Sequence, residues 1–240
     1  MRFFICFLVC IISCCNNFSY GYGIYSPEEY ELKQENEDYT LFILDFSNSM
    51  SEFLEGKSKA DLMVETVRNL LPSMNKNSMV GMRIYGHRMG LTPFEACRAS
   101  KLLVPISKLN SYAINNALSE THPKGMTPIT FSLKQAIKYD FAGIKGRKHI
   151  ILLTDGGENC DESPCKFVME LIKTRKDIII DVIAFNIDDE DDLDQLRCTS
   201  LVTSGKFYTA NTAAELAESL KNSTRGEKRV EARIIPNNSP

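Results

Sequence analysis

The sequence predicts an α/β domain: a doubly wound, mostly parallel sheet flanked by helices, with one antiparallel edge strand. Residues 39–44 (Tyr-Thr-Leu-Phe-Ile-Leu) and 148–154 (Lys-His-Ile-Ile-Leu-Leu-Thr) are short, nearly unbroken apolar runs, the pattern of strands covered on both faces. Each stops at an aspartate, Asp45 and Asp155. Around them extended runs alternate with amphipathic helical segments, which within one domain implies helices layered on a mostly parallel sheet.

The elements follow in order. Ser58-Lys59-Ala60-Asp61 reads as a helix-starting capping box with Asp in place of Glu. Met63, Val64, Val67, Leu70 and Leu71 then share one helical face, and Pro72 ends the helix. Residues 79–85 place Val80, Met82 and Ile84 on alternate positions, and 101–106 form a second extended run after a loop. Ser111 opens a helix carrying Ile114 and Leu118. Pro128 suits the first turn of the next, where its missing N–H costs nothing, with Leu133 and Ile137 facing inward. After strand 148–154 come helix 164–174, strand 178–185, helix 191–201, a short strand at 207–209 and helix 213–222. No internal repeat is present.

At roughly 100–200 residues per domain, 240 residues make one domain with small appendages. Apolar residues at 43% and charged residues at 25% support a packed core and exclude global disorder. The 28 basic groups are outnumbered by 31 acidic ones, so there is no electrostatic footprint for a nucleic-acid backbone.

Residues 1–21 read as a signal peptide, with Arg2 as a minimal positive start and an apolar run at 3–12 too short to span a bilayer. Within it, Ile11-Ile12-Ser13-Cys14 resembles the bacterial lipobox, which makes Cys14 a lipidation candidate. Cleavage after Ser19-Tyr20-Gly21 is the competing reading. Residues 22–38 are a polar tether, the body spans 39–222, and 223–240 is a tail with room for one strand at 230–235. The body is expected in the periplasm or cell envelope, on the outer membrane or cell surface if lipid-anchored.

Four cysteines remain in the body: Cys97, Cys160, Cys165 and Cys198. An even number in an exported chain favours two disulfides. Three connectivities are open, with a slight preference for Cys160 to Cys165 because it closes only a short local ring. All four are expected in loops or helix starts. Their spacing lacks the paired knuckles of a zinc site.

In sheets of this kind ligands bind beyond the carboxyl ends of the strands. The segment Asp45-Phe46-Ser47-Asn48-Ser49 sets a carboxylate and two hydroxyls on alternate positions, so that all three point into one space. Gly125-Met126-Thr127-Pro128 adds a hydroxyl at a helix entrance, and Thr154-Asp155-Gly156-Gly157 adds a second carboxylate. With no Lys or Arg in these segments, the carboxylates would repel one another unless a cation sat between them. Hard oxygen ligands suit Mg2+ or Mn2+.

These three segments resemble the von Willebrand factor A domain and its metal-ion-dependent adhesion site, Asp-x-Ser-x-Ser with a distant Thr and a distant Asp, from about residue 39 to 222. The resemblance implies Ser47, Ser49 and Thr127 as direct ligands, with Asp45 and Asp155 reaching the metal largely through water. It further implies a partner protein whose Asp or Glu carboxylate fills an open metal position. Asn48 departs from the family's usual Gly, a position where Asn would tolerate a left-handed backbone. Tyr85-Gly86-His87-Arg88, Thr127-Pro128-Ile129, and Cys160 followed by Cys165 look like a group of secreted bacterial members.

Blander readings compete. The five oxygen side chains are favoured at strand ends and helix caps in any protein. The acidic run 188–194 lacks the Gly and terminal Glu of an EF-hand and reads as a solvated helix start. His87, His122 and His149 are scattered, although His87 with Arg88 is placed to rim the metal site. Catalysis is not expected. Ser47 stands where a haloacid-dehalogenase-type aspartyl nucleophile needs its second Asp, and no G-x-S-x-G elbow is present. A metal-dependent protein binder is thus the leading expectation, with a structural envelope lipoprotein as the alternative and a hydrolase a distant third.

Overall fold

A computed structural model describes residues 38–225; the leader, Cys14, nearly all of the tether and the 230–235 strand lie outside the described residues. The chain runs β1 (Asp38–Asp45), β2 (Phe53–Leu54), β3 (Lys57–Ser58), α1 (Lys59–Leu70), β4 (Met79–Tyr85), α2 (Pro93–Ala96) and β5 (Ser100–Lys108). It continues through α3 (Ser111–Ser119), α4 (Ile129–Gln135), β6 (Arg147–Thr154), α5 (Pro164–Leu171), β7 (Ile178–Phe185), α6 (Glu190–Val202), β8 (Phe207–Ala210) and α7 (Ala213–Thr224).

Six strands form one sheet in the order β5-β4-β1-β6-β7-β8. All neighbours are parallel except β4 with β5, so the expected antiparallel edge strand is β5. The winding reverses at β1, whose carboxyl end lies between those of β4 and β6. The continuous apolar character of β1 has a direct cause. Phe42 and Leu44 pack on one face with α1, α3 and α7, whereas Leu41 and Ile43 pack on the other with α4, α5 and α6. Strands buried on both faces need apolar residues at every position rather than at alternate ones.

Ser58 caps α1 as expected, its Oγ accepting from the Asp61 N–H at 3.0 Å, but Asp61 Oδ2 takes its hydrogen bond from that same hydroxyl, at 2.6 Å, in place of the Ser58 N–H of a full capping box. The acidic run is a helix start, with Asp189 capping α6 by accepting from the Asp192 N–H. Two further features differ from the sequence reading. Residues 53–58 form a small hairpin turning on Glu55 and Gly56, both with positive φ. The helix begun at α4 widens into a π turn over Ala136–Asp140, which leaves Ile137 only partly buried. That turn carries Asp140 to Arg83, where two hydrogen bonds of 2.6 and 2.7 Å bind the helix to β4.

Candidate metal centre

Strand β1 delivers Asp45 fully buried to the centre of the carboxyl face. Its Oδ1 accepts from the Ser47 N–H at 2.6 Å, which bends the chain back over the carboxylate, and its Oδ2 accepts from Thr154 Oγ1 at 2.9 Å. Ser47 Oγ and Ser49 Oγ lie 3.1 Å apart, and Ser49 Oγ donates to Asp155 Oδ1 at 2.7 Å. A continuous chain of short contacts thus joins four of the five sequence-predicted residues.

Thr127 enters through the backbone. Gly125 forms a parallel bridge with Ser47, and its carbonyl accepts from the Asn48 N–H at 2.9 Å. The Thr127 N–H donates to Asn159 Oδ1 at 2.7 Å, tying this segment to the loop after Asp155. Among the described residues the buried Thr127 hydroxyl makes no hydrogen bond to the other four side chains.

The three loops meet so closely that only glycine fits between them. A Cβ on Gly86 would lie 2.4 Å from the Ser47 nitrogen, and one on Gly125 would lie 2.4 Å from the Arg88 carbonyl oxygen. Asn48 imposes no such demand. It opens a 3-10 turn (Asn48–Ser51) and is not among the positive-φ residues, so the expected left-handed conformation is absent and the side chain is held without strain.

The electrostatics are those of a site short of positive charge. Burial, then the neighbouring Asp155 charge, pushes Asp45 up to about 7 despite the hydrogen bonds from Ser47 and Thr154. Burial also raises Asp155, opposed by Ser49 and Lys59. The three segments themselves hold no Lys or Arg, but the fold brings one cation to them from the start of α1. Lys59 Nζ lies 3.2 Å from Asp155 Oδ2 and 2.9 Å from Glu52 Oε2, and the lysine is only 5% exposed. Its sequence position, just after a helix cap, is one where lysine is ordinarily solvated. Tyr85 was also not singled out as a site residue. Its ring is fully buried beside Asp45 and Thr154, and burial first, then the Asp45 charge, holds its hydroxyl well above the usual phenol range.

Two clustered carboxylates and three hydroxyls make an all-oxygen donor set that a small hard divalent cation fits. No group of three or more His, Cys, Asp or Glu side chains is gathered for a metal among the described residues. His149 pairs with Asp181 at 3.1 Å, His122 is exposed, and His87 is half-buried with an unpartnered Nδ1.

Both expected disulfides form, but the preferred pairing is overturned: the bonds are Cys97–Cys160 and Cys165–Cys198. Asp161, with φ 57°, turns the chain between Cys160 and Cys165. Cys160 therefore meets Cys97 at the end of α2, and Cys165 in the first turn of α5 meets Cys198. Cys198 lies inside α6 rather than in a loop or helix start. The first bond ties the loop following Asp155 to the loop following β4.

The fold is that of an α/β domain, a mixed six-stranded sheet with helices on both faces. The von Willebrand factor type A domain model matches residues 41–222, and the chain belongs to that family. Two uncharacterised proteins of Bacillus subtilis (strain 168) are similar along most of their length. YwmC is 28% identical over 203 residues, covering 81% of this chain and 88% of that protein, and YwmD is 25% identical over 201 residues, covering 82% and 88%. Among solved structures, a von Willebrand factor type A protein from Catenulispora acidiphila superposes with a TM-score of 0.63 at 18% identity, covering 79% of this chain and 42% of that one. Proximal thread matrix protein 1 from the mussel byssus, with a zinc-occupied adhesion motif, gives 0.59 at 18%, covering 80% and 46%. The pilus adhesin SpaC from Lactobacillus rhamnosus GG, in its open conformation, gives 0.60 at 16%, covering 80% and 30%. This chain therefore spans less than half the length of each of these three structures.

Proposed function

We propose that this is an exported, non-enzymatic binding domain that holds Mg2+ or Mn2+ and uses it to grip a carboxylate of a partner protein. Ser47, Ser49 and Thr127 are the direct ligands, and Asp45 and Asp155 act mainly through water. The metal would add positive charge to a pair of buried carboxylates faced by one lysine, Lys59, and would keep an open position for an Asp or Glu of the partner. The observation carrying this reading is the run Asp45, Ser47, Ser49, Asp155, closed by hydrogen bonds at the switch point of the sheet. The likeness to a metal-occupied byssus protein and to a pilus adhesin is consistent with it, as are two disulfides in a chain whose leader resembles a lipobox.

The alternative, a metal that only holds the loops together, is weakened by the contacts already present. A β-bridge, a disulfide and the Lys59–Asp155 ion pair fasten the same loops. Partner capture from envelope extract should therefore be lost in chelator and in Asp45→Ala while circular dichroism stays unchanged. Loss of the fold in chelator would favour the structural role instead.

A further inference from the structure

A groove of about 580 Å3 lies between the edge strand β5 and α3, and its lining reaches His87 and Lys124, which neighbour the loops of the proposed metal site in the chain. Lys124, one of its lining residues, donates its N–H to the carbonyls of Phe46 and Gly86, and the next residue, Gly125, forms the bridge to Ser47. The groove wall is apolar at Leu103, Pro105 and Tyr112 and basic at Lys101 and Lys124. Both lysines are exposed, and among the described residues neither forms an ion pair; Glu120 is the one carboxylate in the lining. This basic character stands out in a chain whose overall charge is −3. The wall also contains His87, half-buried at the end of the groove nearest Lys124 and Lys101.

We propose that the groove receives an acidic segment of the partner protein, continuing from the carboxylate held at the metal. An apolar side chain of that segment packs on Leu103 and Tyr112, and a further carboxylate is met by Lys101 and Lys124. The proposal rests on the metal reading for the first carboxylate only. Charge complementarity selects the occupant: a basic segment would face two unpaired lysines, and a wholly apolar one would desolvate them without compensation.

The probe is a fluorescein-labelled peptide rich in Asp and Leu, with an Asn-and-Leu peptide as control, titrated with the full chain by fluorescence anisotropy in Mg2+. The Lys101→Gln/Lys124→Gln variant should bind the acidic peptide about tenfold more weakly, the size of two partly exposed charge pairs. Its Mg2+ affinity by calorimetry should be unchanged. Equal peptide affinity in the variant overturns the groove, as does an Asn-and-Leu peptide that binds equally well or a wild type that does not bind the acidic peptide. Chelator separates the two readings. Peptide that stays bound in chelator but is weakened by the lysine variant leaves the groove standing and removes the metal-held carboxylate. Peptide released by chelator but indifferent to the lysines does the reverse.

Discussion

At Asp45 the fold holds a fully buried carboxyl beside a second one, and the consequence is a measurable dependence on pH. The folded pKa of about 7 lies above the ordinary carboxylate value of 3.8. Asp45 therefore contributes stability to the metal-free protein that is fully present below about pH 4 and lost as pH rises through 7. Asparagine fills the same space and can keep the contacts with the Ser47 N–H and Thr154 Oγ1. In chelator at pH 7.5, Asp45→Asn should melt at least about 2 °C above wild type, since roughly 1 kcal/mol moves the midpoint of a domain this size by 2–4 °C. The advantage should vanish near pH 4; an equal or lower melting point for the variant at pH 7.5 would contradict the buried-charge account. Lys59 acts in the opposite sense, as the cation that makes the metal-free state tolerable. Lys59→Met leaves Asp155 buried without its partner and should cost about 3 kcal/mol in chelator, a loss that Mg2+ recovers in greater part than it stabilises wild type. Thermal melts of both proteins with and without Mg2+ read this out directly. If Mg2+ shifts the two equally, Lys59 and the metal do not share one charge deficit.

The elements position these residues by covalent and steric means that can be tested one at a time. The Cys97–Cys160 bond spans 63 residues of sequence and ties the loops after β4 and β6 together, so Cys97→Ser/Cys160→Ser should lower stability by about 4 kcal/mol on chain-entropy grounds. Guanidinium unfolding checks this, and a loss under about 1 kcal/mol would mean that the loops are held by their other contacts. Gly86, with φ 71° and its Cα packed on the Ser47 backbone, admits no side chain. Gly86→Ala should cost more than about 2 kcal/mol and weaken metal binding, because the chain that must move is the ligand loop itself. The sequence made β1, β6 and β7 legible because burial on both faces writes an unbroken apolar run, and it made α1 legible because Ser58 and Asp61 cap it locally. It concealed what depends on tertiary approach. The cysteine pairing is decided by where Asp161 turns the chain and by α5 lying beside α6. The hairpin turns partly on Glu55, a residue type that seldom takes positive φ, and the π turn before Asp140 is set by Arg83, distant in sequence. Lys59 was hidden for the same reason: only the folded loops bring it to Asp155.

On the largest scale, among the described residues, a six-stranded sheet packed with helices on both faces gathers the proposed metal residues at the carboxyl end of its central strands. The five residues proposed as ligands were legible as a group because strand ends and helix entrances are marked by residue type, and the fold gathers their segments at one end of the sheet. The groove beside them was not, since it exists only between β5 and α3. Cys14→Ala should move the protein from the membrane to the soluble fraction, because a triacylated cysteine would anchor it firmly where a single acyl chain is marginal. A variant that stays with the membrane would show that the lipobox resemblance misleads. The central claim is that the carboxyl face holds one divalent cation. Isothermal calorimetry with Mg2+ and Mn2+ tests it most directly. One site per chain is expected, absent in Asp45→Ala and weakened in Ser47→Ala, Ser49→Ala, Thr127→Ala and Asp155→Ala, with saturation at about 100 times the dissociation constant stabilising the fold by roughly 2.7 kcal/mol. Metal affinity undiminished in Asp45→Ala, or no heat of binding in wild type, would contradict the account.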